Sequence, residues 1–139
     1  MRFMVMVRSN PKIESGVLPS TEELTAMGQF NERLAKSGVL LEGEGLHDSS
    51  KGARIVFDGE KRSVIDGPFT ETKELIAGYW IVQMKSLQEA IELFRQAPCF
   101  DNGDLLEIRQ IFEADDFGEN LTPELREQEE RLRIGGLGK

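Results

Sequence analysis

Two segments of this chain are apolar at every position, whereas many strands alternate between apolar and polar residues. They are residues 3–7, Phe-Met-Val-Met-Val, and residues 79–82, Tyr-Trp-Ile-Val. Successive side chains of a strand point to opposite faces of its sheet. An unbroken apolar run is therefore typical of a strand that is covered on both faces. The fold must cover both sides of the sheet around these two strands.

Two amphipathic helices are predicted, and each begins with a capping box, in which a Ser hydroxyl and a Glu carboxylate bind amides of the first turn. The first box is residues 20–23, and Gly38 stands where a residue of left-handed conformation would end that helix. The second box is residues 86–89, and Pro98 stops the helix that follows. Apolar residues at steps of three and four give each helix one face to bury.

A hairpin is predicted between these units. Asp58-Gly59 separates two β-prone runs, residues 53–57 and 62–66, and both central residues of such a turn tolerate positive φ. The order of elements is then strand, helix, strand, hairpin, strand, helix, strand. This order predicts an α+β fold of the ferredoxin-like sandwich type, with two helices on one face of an antiparallel sheet.

Two helices can cover only one face of that sheet, yet its strands are apolar on both. At about 25 cal/mol per Å² of apolar surface, an uncovered face costs several kcal/mol. An apolar face of this size marks an interface, so we predict a homodimer in which two sheets pack face to face. The alternative is that the loop 9–19 or the C-terminal segment covers the second face within one chain.

Charge and composition exclude several classes of function. The chain has 139 residues, which fits one domain, and a net charge of −8. Such a chain repels phosphate backbones. Cys99 is the only cysteine and His47 the only histidine, which excludes an intrachain disulfide and the common zinc frameworks. The N-terminal apolar run is too short for a signal peptide or a membrane span. We expect a cytoplasmic protein without metal or cofactor that binds neither nucleic acid nor membrane.

The acidic residues are concentrated near the C-terminus, where residues 113–133 contain 8 acidic and 3 basic side chains. A charged segment after a compact body is typical of an appended tail. We therefore divide the chain into a body, residues 1–112, and an acidic tail, residues 113–139. Within the tail, Thr122-Pro123 predicts the start of a short helix, because Thr is a good N-cap and Pro suits the first helical position.

Residues 66–80, Asp-Gly-Pro-Phe-Thr-Glu-Thr-Lys-Glu-Leu-Ile-Ala-Gly-Tyr-Trp, resemble the YCII-related proteins. More narrowly, they resemble the DGPF group of that family, which is named for the four residues that stand here at 66–69. Residues 41–47, Leu-Glu-Gly-Glu-Gly-Leu-His, followed by two serines at 49–50, are also typical of that group, as is the helix at 86–97.

The resemblance covers about residues 1–112 and implies a ferredoxin-like subunit that dimerises as an α/β barrel. Some relatives are encoded beside, or fused to, extracytoplasmic-function sigma factors, which implies a sigma factor as an alternative partner. In the better-described YCII branch, a His on the first helix, paired with an Asp, has been proposed as acid–base machinery. The first helix of this chain carries Phe30 and Asn31 and no His, so that pair cannot be carried over.

His47 and Asp66 form the candidate catalytic pair. A histidine exchanges protons near neutral pH, and both residues lie at strand ends that the hairpin brings towards each other. If they meet, Asp66 orients the imidazole of His47. The alternative for His47 is a hydrogen bond to its own loop. The alternative for Asp66 is an Asx-type turn, in which Gly67 supplies an unusual φ and Pro68 fixes the next step.

Three charged residues are candidate ligand contacts. Arg8 ends the first strand and is the natural cation for an anionic ligand above the sheet. Glu71 and Lys73 follow the 66–69 turn and belong either to the rim of a pocket or to a solvated loop. A surface role is the alternative for Arg8 as well.

Tyr79 and Trp80 are the aromatic candidates for ligand binding. They point to opposite faces of their strand, one beneath the helices and one towards the sheet–sheet interface. A large ring beside Gly43, Gly45 and Gly78 can line an apolar cavity, which is the usual setting for a small organic ligand. Solid core packing without a cavity is the alternative.

The sequence therefore predicts a cytoplasmic homodimer that binds a small, partly apolar ligand between sheet and loops. One alternative is a cofactor-independent isomerase, lyase or hydrolase that uses His47 and Asp66. The other is an accessory partner of a transcription factor that binds through the acidic C-terminal helix.

Overall fold

The computed structural model describes residues 1–137, which form a four-stranded sheet, a separate two-stranded hairpin and several helices. In chain order the elements are β1 (Arg2–Arg8), α1 (Pro11–Glu14), α2 (Thr21–Lys36), β2 (Leu40–Gly45), β3 (Ala53–Asp58), β4 (Lys61–Asp66), β5 (Ile76–Gln83), α3 (Leu87–Phe94), β6 (Leu106–Gln110) and α4 (Pro123–Leu132). A helix needs about 20 predominantly apolar residues to span a bilayer, and none within residues 1–137 meets that requirement.

The four-stranded sheet has the order β2-β5-β1-β6, and all its neighbours pair antiparallel. The units β1-α2-β2 and β5-α3-β6 are its two halves, and the β3–β4 hairpin is inserted between them. This is the ferredoxin-like α+β arrangement that the order of elements predicts, and the prediction is confirmed.

The core lies between the sheet and the helices α2 and α3. Its buried hydrophobic residues are Phe3, Val5, Phe30, Leu34, Trp80, Val82, Ala90 and Phe94. The strand register places Val5 opposite Trp80. Phe30 from α2 and Phe94 from α3 approach the Trp80 ring with centroid distances of 6.1 and 5.1 Å. The Trp80 indole is therefore packed between both helices and the sheet.

The predicted helix caps form, with one difference. The capping box at residues 20–23 is complete, and Gly38 follows α2 with a φ of 78°. At α3, the Ser86 hydroxyl accepts the amide of Glu89. The Glu89 carboxylate, however, accepts from the amide of Lys85 and not from that of Ser86, so the second predicted box forms only in part. In the tail, α4 begins at Pro123 as expected.

The segment 9–19, which was expected to be a loop, contains the short helix α1. The Asn10 side chain accepts the amide of Ile13 at 2.9 Å, and Pro11 occupies the first helical position. The prediction was wrong because Asn10-Pro11 was interpreted only as the end of a strand. The same pair is also an N-cap followed by a proline, which starts helices.

The face of the sheet that points away from α2 and α3 has an apolar centre and charged edges. Met4 lies opposite Ile81, and Met6 lies opposite Tyr79. All four side chains are partly exposed. Acidic residues of β2 and β6 border this centre, with Glu44 of β2 opposite Tyr79. The apolar character predicted for both faces therefore applies to the two central strands and not to the edge strands.

The β3–β4 hairpin contributes no buried residue to the core. Its register pairs Asp58 with Lys61, so the turn residues are Gly59 and Glu60, one position later than predicted. Only Gly59 has a positive φ, at 60°. The side chains of Ile55, Phe57 and Val64 on one face are 59%, 69% and 64% exposed. A two-stranded hairpin with so little packing is marginally stable by itself.

Candidate functional site

Three glycines leave an empty space on the face of the sheet beneath α2. The register pairs Gly43 with Trp80 and Gly45 with Gly78. All of them therefore lie on the same face as the buried Trp80 indole. Because no side chains project there, a cavity of about 250 Å³ lies between the sheet and α2. The sequence prediction of a cavity beside Trp80 and these three glycines agrees with this geometry.

The side chains that line this open cavity are mostly apolar. Val7 from β1 and Met27 from α2 line it together with Trp80, and Asn31 of α2 contributes an amide. The other residues of the lining, besides the three glycines, are Glu44, Ala77 and Tyr79. Mostly apolar walls with a few polar groups are typical of sites for small organic molecules.

The three glycines are required for different reasons. A Cβ atom at Gly78 would lie 2.8 Å from the carbonyl oxygen of Glu44, so this glycine permits the close approach of β2 and β5. A Cβ at Gly43 would lie 3.2 Å from Cδ1 of Trp80. At Gly45, no atom lies within 4 Å of the added Cβ. Gly45 therefore keeps the cavity open, whereas Gly78 is needed for strand pairing.

Asn31 fixes the indole at the wall of the cavity. The Nε1 of Trp80 donates to Oδ1 of Asn31 at 2.7 Å, and Trp80 is only 5% exposed. A buried indole N–H needs an acceptor, and α2 supplies it. In the sequence, Asn31 is notable only as the absence of a histidine, and nothing there indicates this role.

Tyr79 lies on the opposite face from Trp80, as the alternation of side chains predicts. Its hydroxyl donates to Oε2 of Glu42 at 2.7 Å. This hydrogen bond to a carboxylate raises the pKa of Tyr79 above its ordinary value, because ionisation would place two negative charges together. The Tyr79 side chain therefore extends to the open face of the sheet, while Tyr79 as a residue also belongs to the lining of the cavity.

His47 and Asp66 are both exposed, and no hydrogen bond joins their side chains. Asp66 ends β4 opposite Ala53. The Asp66 side chain accepts no hydrogen bond in this loop, so the Asx-type turn considered for it does not form. Instead, the amide of Gly67 donates to the carbonyl of Gly52 at 3.0 Å.

Gly67 is needed for close packing and not for an unusual φ. A Cβ at this position would lie 1.7 Å from the carbonyl oxygen of Ser49, and its φ is not positive. The following Gly67-Pro68 peptide is cis. The expectation about φ was wrong because the constraint comes from a segment 18 positions earlier in the chain, at Ser49.

Ser49 connects the 66–69 turn to the N-terminal segment. Its hydroxyl accepts the amide of Phe69 at 2.8 Å and donates to the carboxylate of Glu14. The amide of Ser49 donates to the same carboxylate at 2.9 Å. These hydrogen bonds give the Asp-Gly-Pro-Phe motif and the serine pair at 49–50 a common structural role. Nothing in the sequence indicates the part that Glu14 plays in these bonds.

The charged ligand-contact candidates lie outside the cavity wall. Arg8 forms an ion pair with Glu107 at 3.0 Å. Glu71 and Lys73 are both exposed; Glu71 precedes the 3-10 turn at Thr72–Glu74 and Lys73 lies within it. Within residues 1–137, no three His, Cys, Asp or Glu side chains are grouped so as to hold a metal ion.

A second cavity, of about 290 Å³, lies in the C-terminal segment. Phe112 and Phe117 stack at its wall with their ring centroids 4.9 Å apart. Glu113 beside them accepts from the Arg2 guanidinium at 2.9 and 3.1 Å, which attaches the beginning of the tail to β1. This cavity has both acidic and basic residues at its wall, including Arg126.

Comparison with known proteins identifies a family and similar solved structures. Among solved structures, a similar chain is 5-chloro-2-hydroxyhydroquinone dehydrochlorinase from Burkholderia phenoliruptrix AC1100, in complex with 2,5-dihydroxybenzoquinone. It is 16% identical, the match covers 81% of this chain and 96% of that chain, and the TM-score is 0.39. No curated protein matches the chain. The model of the YCII-related domain matches residues 1–115. The resemblance read from the motif is thus confirmed at the level of the family, and the chain belongs to the YCII-related family.

Proposed function

We propose that the chain forms a homodimer that binds a small, largely apolar organic molecule in the cavity between α2 and β2. One observation carries the proposal. Gly43, Gly45 and Gly78 share one face with a buried indole, and together they leave about 250 Å³ unfilled. Gly43 and Gly45 are exposed, so this space is open to solvent and a ligand can enter it from outside. Gly45 has room for a side chain that would occupy part of it. An open, mostly apolar concavity of this size favours binding of a small organic molecule.

The positions of the polar candidates favour binding over catalysis. His47 and Asp66 are exposed and share no hydrogen bond. Neither residue lines the cavity. A general acid–base pair must reach the reacting atoms of its substrate, so the cavity is proposed as a binding site.

The ligand site is tested with ethylbenzene as a small apolar probe. Trp80 is the only tryptophan of the chain, so its indole N–H gives a single, assigned signal in a proton–nitrogen NMR spectrum. We expect a saturable shift of this signal in the wild type. Gly45→Val places a side chain in the cavity and should weaken binding at least tenfold.

The matched control is Gly28→Ala, a glycine of α2 that lies outside the cavity wall and has no atom within 4 Å of an added Cβ. It should bind the probe like the wild type. Absence of a saturable shift in the wild type, or equal binding by Gly45→Val, would refute a ligand site here.

The homodimer is supported by the apolar surfaces that α2 and α3 leave uncovered. Met4, Met6 and Ile81 form the centre of the open face of the sheet. We propose that the open faces of two subunits pack together, because a two-fold arrangement covers both at once. Charged residues border this apolar centre, which is the composition of many protein interfaces.

The mass in solution tests this arrangement. Light scattering behind a sizing column should give twice 15.6 kDa for the wild type. Met6→Lys places a charge at the centre of the open face and should give the mass of one chain. Leu24→Lys, on the exposed side of α2, should leave the dimer intact. A wild type with the mass of one chain at micromolar concentration would contradict the dimer.

A further inference from the structure

The amide of Asn31 has a fixed orientation at the cavity wall. Its Oδ1 accepts from Nε1 of Trp80 at 2.7 Å. An indole N–H can only donate, so the oxygen of the amide must face Trp80. The Nδ2 group, with its two N–H donors, therefore points away from the indole.

These two donors have no partner within residues 1–137. The only side-chain polar atom there that is both sealed from solvent and without a hydrogen bond is Ser9 Oγ. Nδ2 of Asn31 is consequently accessible, and Asn31 is part of the cavity wall. A ligand that covers Nδ2 in this cavity must either accept a hydrogen bond from it or leave it unsatisfied, which costs binding energy.

The rest of the wall limits the charge of the ligand. Of residues 1–137, no Lys, Arg or His lines the cavity, and the one charged residue of its lining is Glu44, which is acidic. Burying an anion without a cationic partner is unfavourable. The complementary ligand is thus compact, uncharged and apolar over most of its surface, with one oxygen acceptor.

We propose that Asn31 determines the ligand specificity of this cavity by donating from Nδ2 to a carbonyl or comparable neutral oxygen. The inference rests on the proposed binding function and adds the chemical class of the ligand. It also assigns Asn31 two tasks at once. Its oxygen holds the indole in place, and its nitrogen selects the ligand.

Two probes of nearly the same shape test the selection. Acetophenone carries a carbonyl oxygen, and ethylbenzene lacks it. For the wild type, the dissociation constant of acetophenone from the Trp80 indole signal should be about three- to tenfold lower than that of ethylbenzene, as expected for one net hydrogen bond. The side-chain amide signals of Asn31 should shift with acetophenone only.

Asn31→Asp is the discriminating variant, because a carboxylate oxygen still accepts from Trp80 while the donor is replaced by a second acceptor. The preference for acetophenone should disappear or reverse, because its affinity should fall more than that of ethylbenzene. The Trp80 indole N–H of Asn31→Asp should still show the slow solvent exchange of a hydrogen-bonded group. A merely structural role of Asn31 would change both affinities together.

The outcomes separate this inference from the proposed function. If both probes bind equally to the wild type and Gly45→Val weakens both, the cavity is a binding site and the role of Asn31 is wrong. The same conclusion follows if Asn31→Asp keeps the wild-type preference. If neither probe binds the wild type, or Gly45→Val has no effect, the proposed binding function itself is overturned.

Discussion

Gly45 and Gly78 are neighbours across two strands, yet their surroundings impose opposite requirements. An added Cβ at Gly78 meets the backbone of β2, and one at Gly45 meets nothing. The backbone of a paired strand cannot yield in the way that the end of a flexible side chain can. The same substitution should therefore have effects of opposite sign at the two positions.

We expect Gly78→Ala to lower the free energy of unfolding by about 1–3 kcal/mol, the usual cost of overpacking. Gly45→Ala should raise it by about 0.5–1 kcal/mol, because alanine loses less entropy than glycine in a strand. Urea unfolding measures both values. A stable Gly78→Ala variant would show that the two strands can separate without penalty.

For single residues, constraints that come from neighbours in the sequence could be predicted. Constraints that come from residues far away in the chain could not. The cap of α2 depends on residues within one turn, so the sequence reveals it. The bond between Asn31 and Trp80 joins residues 49 positions apart, and nothing in the neighbourhood of either residue indicates it. The same holds for Gly67, whose close neighbour is Ser49.

At the scale of the elements, the single hydroxyl of Ser49 joins three segments: α1, the 66–69 turn and the segment before β3. Ser49 accepts from the amide of Phe69 and donates to Glu14. Ser50 beside it binds only Asp48 of its own turn. Two adjacent serines therefore provide an internal comparison between a connecting and a local hydroxyl.

Ser49→Ala should lower the free energy of unfolding by about 1–3 kcal/mol, because the amide of Phe69 and the carboxylate of Glu14 lose a partner. In the same variant, hydrogen exchange of the Phe69 amide should become faster. Ser50→Ala, at an exposed site, should change stability by no more than about 0.5 kcal/mol. Equal effects of the two variants would contradict the connecting role assigned to Ser49.

The attachment of the tail to β1 depends on pH. The hydrogen bond from Arg2 lowers the pKa of Glu113 below its ordinary value of 4.5. A lowered pKa in the folded state stabilises the fold above the ordinary pKa, and this contribution is lost as the pH falls through the folded value. The pair is partly exposed, so its contribution is small.

Glu113→Gln should lower the free energy of unfolding by at most about 1 kcal/mol at pH 7. The difference between variant and wild type should shrink as the pH falls below 4.5, the ordinary value for this group. Urea unfolding at pH 7 and pH 3 measures it. A difference that persists unchanged at pH 3 would mean that the charge of Glu113 is not its cause.

For the whole molecule, the order of elements was sufficient to predict the fold. Two capped helices and their flanking apolar strands specify the two halves of the sheet, and each signal is local. The open face was predicted less well, because the charged residues of β2 and β6 reach it only through strand pairing. The position of the cavity was predictable from the three glycines, since residues on neighbouring strands share a face. The polar group at its wall, the Asn31 amide, was not predictable.

The β3–β4 hairpin presents a second apolar surface in addition to the open face. Phe57, Ile55 and Val64 lie together on one side of it and are largely exposed. If the hairpin packs against the second subunit, Phe57→Glu should raise the dimer dissociation constant at least tenfold in sedimentation experiments. Phe112→Glu, equally exposed but in the C-terminal segment, should not. An unchanged dissociation constant for Phe57→Glu would place the hairpin outside the interface.

The hairpin also has a consequence for how such a protein evolves. Since β3 and β4 supply no residue to the core, mutations there are largely free of selection for stability of the ferredoxin-like body. In the proposed dimer, drift in this insertion alters which copies recognise one another while the proposed ligand site under α2 stays as it is. On that proposal, duplicated descendants of one gene stop mixing their subunits before their binding chemistry diverges.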